Sequence, residues 1–316
     1  MTTVSMKQWD EVSLEEIASL AVESRYSIGL TDAEESIEDY INKLHQSNER
    51  EKFDWIIMVH EKGELQGWAA IWKMDIGTLR VSNWHPYIKD ERSEIALAII
   101  DKMVNLAIEQ NQNAIYVAFS RVNGKCQRSF ERHYRWYAQY DFHEIHQEYF
   151  MTRALDDIET KEIDIPDGFD ISSIDEWNYE DLCKVYIETF YKSNDRFFKL
   201  RTLENRRKRF LGILKSEHIL KDASYVISKR DEIAGFSLVT EHFPPAHLGP
   251  FGVLPKYRGM KLGRNLALLS MKSVAELGHR IVSLEVDTEN SPALNLYKNV
   301  GFKIESESHI LHWEKE

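Results

Sequence analysis

The chain carries one sequence pattern twice, and an internal repeat constrains the architecture of a protein more than any other sequence feature. Residues 55–71 and 225–239 each combine an apolar segment, a short polar turn and a second apolar segment, which predicts a β-hairpin in each half. Tyr137 is followed four residues later by an Asp-Phe pair, and Tyr297 is followed at the same distance by a Gly-Phe pair. The sequence therefore predicts two tandem copies of one fold.

The order of elements around each hairpin gives the fold class. Helical stretches precede the hairpin, and a strand, a long helix, a β-rich segment, a shorter helix and a closing strand follow it; the long helices are predicted at 95–109 and 262–277. Charged residues and a Pro-Asp-Gly turn interrupt the pattern at 156–168. We expect an α/β (α+β) protein with domains at residues 1–155 and 156–316, each a mixed sheet flanked by helices.

Composition excludes several classes of protein. Forty basic residues against fifty-two acidic ones give a net charge of −12, which opposes nucleic-acid binding and favours a cationic small molecule. No apolar run approaches the roughly 18 residues of a membrane-spanning helix, and residues 1–10 lack the apolar core of a signal peptide. With only two cysteines, Cys126 and Cys183, we expect a cytoplasmic protein without a membrane or nucleic-acid partner.

The segment after residue 246 has the composition of a ligand-binding turn. Gly249, Pro250 and Gly252 interrupt an apolar strand at 247–253, which predicts a bulged or bent strand. Residues 254–264 form a glycine-bearing turn that leads into a helix. Such a turn presents unpaired backbone N–H groups and the positive end of the helix dipole to an anion such as a pyrophosphate. On spacing alone, a plain strand-to-helix connector is the alternative.

A second motif follows the β-rich segment 281–286. Ser291 and Pro292 predict a helix start with Pro at the first helical position, and Gly301 predicts its left-handed end. Ala293 and Tyr297 lie four residues apart and therefore share one helix face. A tyrosine of the core is the alternative for Tyr297.

Together these motifs resemble those of the GCN5-related N-acetyltransferase (GNAT) superfamily. The first signature of this superfamily consists of Gln or Arg, any two residues, Gly, any one residue, and Gly or Ala. Residues 258–263 are similar to it, with Lys261 where glycine is usual. Its second signature is matched by Asn290, Ala293, Tyr297, Gly301 and Phe302. Residues 171–313 resemble one complete member. The fold implied is two tandem GNAT-like domains, each with a mixed, mostly antiparallel sheet.

The first half resembles a degenerate second copy. Pro86 corresponds to Pro255, and residues 87–94 replace the turn with a segment that has three carboxylates and no glycine. Because negative side chains repel a pyrophosphate, we expect no acyl-CoA site in residues 1–155.

The resemblance implies a cosubstrate and a set of site residues. Acetyl-CoA is the cosubstrate, with its pyrophosphate on the backbone amides of 258–264 and its thioester carbonyl on an N–H of the bulged strand, and no metal is expected. Tyr297 is implied as the general acid, since its ordinary pKa of about 10 lies near the roughly 8.5 of a thiol. The residues expected to bind the cosubstrate are Phe251, Gly252, Val253, Arg258, Gly259, Met260, Lys261, Leu262, Gly263, Arg264 and Asn290.

The general base is open between several residues. His247 occupies the strand position at which carboxylate-using family members carry their base, and an imidazole can accept the ammonium proton; a structural strand histidine is the alternative. Glu241 and His242 are second choices that instead could draw a cationic amine toward the cleft. His143 and His146 do not predict a metal site, because residues three apart on a strand face opposite sides.

The function implied is an N-acetyltransferase that moves an acetyl group from acetyl-CoA to the primary amine of a small, cationic acceptor. The alternative is a catalytically inactive acyl-CoA-binding protein, since position 247 lacks a carboxylate and Lys261 departs from the signature. Either reading is compatible with a monomer or a homodimer.

Overall fold

The computed structural model describes residues 2–31, 35–74, 77–122, 126–191, 193, 195–199, 202–241 and 245–315. The chain forms two compact units, Met1–Gln147 with Glu307–Glu316, and Glu148–Ser306. None of the described helices combines the length and the apolar character needed to cross a bilayer.

The first unit is a mixed sheet with helices. Its strands run in the order β1-β2-β3-β4-β6, with antiparallel pairs except for the parallel pair of β4 and β6, and β5 pairs with β3. The elements that begin in this unit are β1 (Thr2–Lys7), α1 (Leu14–Ser27), α2 (Ile37–Glu51), β2 (Trp55–Glu61), β3 (Glu64–Met74), β4 (Thr78–Val81), β5 (Tyr87–Ile88), α3 (Ser93–Glu109), β6 (Ala114–Val122), α4 (Gln127–Ala138) and β7 (His143–Ala154).

The second unit repeats this plan. Its strands run in the order β7-β12-β11-β10-β9-β8, and the pair of β11 and β12 is parallel whereas the other pairs are antiparallel. The further elements are β8 (Asp170–Ser173), α5 (Tyr179–Tyr191), α6 (Arg196–Lys199), α7 (Leu203–Leu214), β9 (Tyr225–Lys229), β10 (Glu232–Thr240), β11 (Ala246–Val253), α8 (Leu262–Glu276), β12 (Ile281–Asp287), α9 (Ser291–Asn299) and β13 (Lys303–Glu314).

Both predicted hairpins are confirmed. Two-residue turns join β2 to β3 and β9 to β10, with left-handed backbone at Lys62 and Gly63 and at Arg230 and Asp231. Two consecutive left-handed residues form the turn whose twist matches that of paired strands. The long helices α3 and α8 also agree with the predicted ranges. Helix α9 begins at Ser291, so its N-cap is Asn290 and not Ser291.

The compact units differ from a division at residue 156 in two places. Glu148–Ala154, the second part of β7, pairs with β12 inside the second unit. Glu307–Glu314, the second part of β13, belongs to the first unit, where β13 lies beside β6. Strand pairing thus places the last strand of the chain partly in the unit that is built from its beginning.

The sheet of the second unit has one packed layer on each face. On one face, α8 packs Ala267, Met271 and Val274 against the strands. On the other, α5 and α7 contribute Tyr186 and Phe210, whose stacked rings have centroids 4.3 Å apart. This arrangement leaves the carboxyl end of β11, the turn after it and the start of α8 at one edge of the unit.

Candidate active site

Strand β11 is bulged, as predicted, and it separates from its neighbour β12. The register with β10 shifts between Ser237 and Val239, so that Gly249 and Pro250 together face one residue of β10. In the described residues, β11 pairs with β12 only at Ala246 with Val282 and at His247 with Ser283. Beyond that point no described backbone pair joins β11 to β12, and the unpaired stretch between them is called the opening below.

The register determines which backbone groups of β11 face this opening. Leu254 N–H donates to the Ala234 carbonyl at 2.8 Å, and bonded and non-bonded pairs alternate along antiparallel strands. Gly252 is therefore bonded to Phe236, whereas the N–H groups of Phe251 and Val253 point away from β10. These two N–H groups lie along the edge of β11 next to the opening.

The turn after β11 exposes a row of backbone donors. Gly259 and Lys261 both adopt left-handed backbone, with φ of 82° and 60°, and residues 258–261 are exposed. Among the described residues, none accepts a hydrogen bond from the N–H groups of residues 259–264; the first helical bond of α8 is from Asn265 to the Lys261 carbonyl at 3.1 Å. The positive end of the α8 dipole adds to these donors.

The arginine side chains of the turn serve the protein itself. Arg258 donates through Nε to the Val253 carbonyl at 3.1 Å and through Nη2 to the Thr189 carbonyl at 3.0 Å. Arg264 donates to the Glu162 carbonyl at 3.0 Å. The Arg258 bonds fasten the turn to β11 and α5, and the Arg264 bond fastens the start of α8 to the segment before β8.

Two glycines of the site allow close packing. A Cβ built on Gly263 would lie 3.3 Å from Leu296 of α9. One built on Gly252 would lie 2.4 Å from Cγ2 of Thr189 in α5. Glycine at position 263 lets α9 approach α8, and glycine at position 252 lets α5 approach the bulged strand.

Tyr297 lies beside the opening, on α9. It is 7% exposed, and its ring packs against Phe251 and Phe302 with centroids 6.0 and 5.9 Å away. Burial raises the pKa of the phenol well above its ordinary value, and the Asp195 carboxylate acts in the same direction. In the described part of the chain no group hydrogen-bonds this hydroxyl, which is protonated and available as a donor. Gly301, with φ of 97°, ends α9 as predicted.

The segment between β12 and α9 is held by an ion pair of the buried Asp287 carboxylate, which the sequence did not reveal. Asp287 accepts from Arg196 Nε at 3.2 Å and from Nη2 at 3.3 Å, and its carboxylate also accepts from the backbone N–H of Glu289 at 2.8 Å. Asn290 caps α9 with its backbone, and among the described residues its side-chain amide has no hydrogen-bond partner. A carboxylate at the end of a buried strand is the sequence signal for this pair.

His247 is half-buried on the α5 side of β11. Its Nδ1 lies 3.2 Å from Ser283 Oγ, and this hydroxyl contacts the Ala246 carbonyl at 3.3 Å. If the hydroxyl donates to the carbonyl, Nδ1 carries the imidazole proton and Nε2 keeps its lone pair. Burial lowers the pKa of His247, while the Glu148 carboxylate opposes this shift. Gly249 leaves space near Nε2, because a Cβ there would lie 3.5 Å from it.

Glu241 and His247 are not brought together. Thr240 and His247 are cross-strand partners and share one face of the sheet, so Glu241, the next residue, points to the opposite face. It lies 3.5 Å from Nε2 of His279, just after α8 and at the end of that helix far from the turn. His242 lies outside the described residues.

The corresponding opening of the first unit is filled by its own chain. Strand β4 pairs with β6 only as far as Arg80 with Tyr116. Trp84 then continues the ladder, because its backbone N–H donates to the Ala118 carbonyl at 3.2 Å and its indole N–H to the Ser120 carbonyl at 2.7 Å. The side chain is 2% exposed. The segment after Pro86 contains Asp90 and has no glycine turn.

No group of three or more His, Cys, Asp or Glu side chains in the described ranges is arranged to hold a metal ion. His143 instead lies against the ring of His312, with centroids 5.6 Å apart.

The parallel strands β11 and β12 part next to an exposed turn of free backbone amides, which is the arrangement that the resemblance to GNAT enzymes implies. The comparison with protein families agrees, because residues 179–302 match the family model described as "Acetyltransferase (GNAT) family". The matched residues all lie within the second unit.

Sequence relatives cover part of the chain. A mycothiol acetyltransferase of Thermomonospora curvata is 30% identical over 160 residues, which are 48% of this chain and 50% of that protein. A mycothiol acetyltransferase of Corynebacterium glutamicum is 35% identical over 83 residues, which are 26% of this chain and 28% of that protein. The matches thus span half of these relatives' length or less.

Solved structures match the fold over nearly the whole chain. A GCN5-related N-acetyltransferase from Sphaerobacter thermophilus has a TM-score of 0.66 at 16% identity and covers 99% of this chain and 95% of that one. A tandem GNAT protein from the clavulanic acid biosynthesis pathway has a TM-score of 0.61 at 15% identity, with 99% and 98% covered. The tandem GNAT fold predicted from the sequence is confirmed.

Proposed function

We propose that the second unit transfers an acetyl group from acetyl-CoA to the primary amine of a small, cationic acceptor. The observation that carries this proposal is the opening between β11 and β12, with the free amides of residues 259–264 at one end and the Tyr297 hydroxyl beside it. Acetyl-CoA would supply the activated acetyl thioester. The residues of the site are suited to hold it, because the turn is exposed and its donors are unused.

Each part of the chemistry has a candidate group. The N–H groups of Phe251 and Val253 face the opening and can polarise a thioester carbonyl. His247 accepts a proton from the acceptor ammonium on Nε2, which leaves a neutral amine to attack the carbonyl carbon. As the C–S bond breaks, Tyr297 gives its proton to the thiolate, and the attacking nitrogen loses its second proton, which returns to the tyrosinate directly or through water, so that an N-acetylated amine and the free CoA thiol are released. Glu241, on the other face of the sheet, has no part in this scheme.

Charge supports a cationic acceptor. Each of the two proposed catalytic groups has a carboxylate near enough to raise its pKa: Glu148 for His247 and Asp195 for Tyr297. The whole chain has a net charge of −12. An amine with a second positive charge is attracted to such surroundings.

The first unit is proposed to bind no acyl-CoA, because Trp84 occupies the edge of β6 that would receive it. We propose one cosubstrate per chain. A cytoplasmic location and a monomeric or homodimeric state remain predictions.

The test is release of CoA thiol from acetyl-CoA with a panel of polyamines, aminoglycosides, amino acids and peptides. The proposal expects turnover with at least one cationic amine, and a loss of about 10²- to 10⁴-fold in Tyr297→Phe, the range typical of a general acid. Because the Tyr297 hydroxyl makes no bond to a described residue, this variant should keep its free energy of unfolding. Tyr179→Phe is the matched control, because it removes the hydroxyl of a tyrosine at the start of α5. That hydroxyl donates to the Asp175 carboxylate at 2.9 Å.

Two results would contradict the proposal. Binding of acetyl-CoA without thiol release for any amine would favour the inactive acyl-CoA-binding protein. Full turnover in Tyr297→Phe, with chemistry rate-limiting, would remove the proposed acid.

A further inference from the structure

Helix α9 carries Tyr297 in its last turn and is too short to be stable alone. It has nine residues, Ser291–Asn299, whereas isolated helices shorter than about 12 to 15 residues are marginal in water. Two backbone bonds close its end: Gly301 N–H donates to the Lys298 carbonyl at 3.1 Å, and Phe302 N–H to the Tyr297 carbonyl at 3.0 Å. These bonds form a Schellman motif, so the position of Tyr297 depends on what holds this motif.

A buried arginine fastens the end of α9 to the sheet. Arg153 lies on β7 and is 4% exposed. Its Nε donates to the Val300 carbonyl at 2.5 Å, its Nη1 to the Ala154 carbonyl at 3.1 Å, and its Nη2 to the Asp157 carboxylate at 2.7 Å. Every nitrogen of the guanidinium thus has a partner, and the partner of Nε is the carbonyl of the residue that caps α9.

Gly301 gives the guanidinium room to reach α9. A Cβ built on Gly301 would lie 2.7 Å from Nε of Arg153, so a larger residue there would push the guanidinium away from the Val300 carbonyl. A positive group is favourable at a helix C-terminus. Burying a guanidinium nevertheless costs desolvation energy that an apolar side chain of similar volume would not incur. Packing alone therefore does not explain an arginine on this strand, whereas orientation of the helix end does.

We propose that Arg153 is a positioning residue for Tyr297, because its bond to the Val300 carbonyl fixes the last turn of α9 and with it the phenol at the opening. This inference rests on the proposed function of Tyr297 as the general acid. The segment that leads into α9 is held separately, by the ion pair of Arg196 with Asp287. Loss of Arg153 should therefore displace the last turn without releasing the whole helix. A general acid acts only within hydrogen-bond reach of the atom that it protonates, so such a displacement should slow the chemistry.

The experiment is a double-variant cycle in kcat for release of CoA thiol. Arg153→Met removes all the donors and keeps a side chain of similar length. A misplacement of about 1 Å costs on the order of 10²-fold in rate, so kcat should fall by about 10- to 100-fold, with KM for acetyl-CoA unchanged. In the Tyr297→Phe background the same substitution should leave kcat unchanged, because no hydroxyl remains to be misplaced.

Two further variants separate positioning from folding. Asp157→Asn removes the charge that orients Nη2, at a side chain that is 49% exposed, and it should lower kcat in the same way but less. Lys161→Met is the matched control, since Lys161 pairs with the same carboxylate at 2.9 Å and makes no bond to α9 among the described residues. It should keep the parental kcat. If Arg153→Met does not fold, Asp157→Asn takes its place in the cycle with Tyr297→Phe.

Hydrogen exchange reports on the helix end without any turnover. The Phe302 amide, which bonds the Tyr297 carbonyl, should lose protection in Arg153→Met, whereas the amides of α8 should keep theirs. Equal losses of kcat with and without the Tyr297 hydroxyl would overturn the proposal, and so would unchanged protection of Phe302. A parent protein that releases no CoA thiol with any amine would refute the proposed function instead, and the exchange result would still decide whether Arg153 holds α9.

Discussion

A methyl group added at Gly252 probes the contact between α5 and the bulged strand. The Cβ of Gly252→Ala would lie 2.4 Å from Cγ2 of Thr189 and 3.6 Å from Cε2 of Phe190. A separation of 2.4 Å between carbon atoms is more than 1 Å below their usual contact of about 3.5 Å. Either Thr189 changes rotamer or α5 moves away from β11.

The expected cost follows from these distances. Overpacking of this kind typically destabilises by about 1 to 3 kcal/mol, and the smaller conformational entropy of unfolded alanine offsets about 0.4 to 1 kcal/mol. Gly252→Ala should therefore lower the free energy of unfolding by about 1 to 2 kcal/mol. Thr189→Ser removes the clashing methyl, and alone it should cost about 1 kcal/mol.

The assay is urea unfolding of both single variants and the double variant. The double variant should be clearly more stable than the sum of the two costs predicts, with a coupling of about 1 kcal/mol or more. Gly212→Ala is the control, because it lies within α7 and its Cβ would meet nothing within 4 Å; it should stabilise by about 0.5 to 1 kcal/mol. Additive costs, or a Gly252→Ala variant as stable as the parent, would refute the close approach of α5.

Three further predictions concern protonation and stoichiometry. Burial lowers the pKa of His247, so kcat/KM should stay high through neutral pH and fall only below the ordinary histidine pKa of about 6.5. The His247→Asn variant should lose this fall at acid pH. An unchanged acid side of the pH profile in that variant contradicts the role of His247 as the base. Burial lowers the pKa of His85 to about 3 and that of His133 to about 4. Stability that is present above pH 6.5 is therefore lost as the pH falls toward these values, by about 2 kcal/mol per histidine at pH 5. Urea midpoints at pH 7.5 and 5 measure this loss, and His133→Phe should reduce the difference between them. Calorimetry should find one acetyl-CoA per chain, and two equivalent sites would refute the blocking role of Trp84.

Local features of the fold were predictable because they depend on neighbours in sequence. Polar two-residue turns between apolar segments gave both hairpins, and helical periodicity gave α8. Glycine and proline within an apolar strand gave the bulge of β11 at Gly249 and Pro250.

Features that depend on strand register and side-chain direction were not predictable. Whether Glu241 shares a face with His247 depends on the pairing of β10 with β11, which no spacing in one strand reveals. The bond of Arg258 to the Thr189 carbonyl and the ion pair of Arg196 with Asp287 join elements distant in sequence. No sequence motif predicts that Trp84 lies beside β6, since an apolar residue in a loop is compatible with many positions.

The sharing of β13 has a consequence for synthesis on the ribosome. The sheet of the first unit includes residues after Ser306, so the nascent chain must wait for translation of the whole second unit before that sheet is complete. At about 5 to 20 residues per second, this interval is roughly ten to thirty seconds. During it the edge of β6 lacks the partner that β13 provides, so the sheet of the first unit depends on a segment made after the whole second unit.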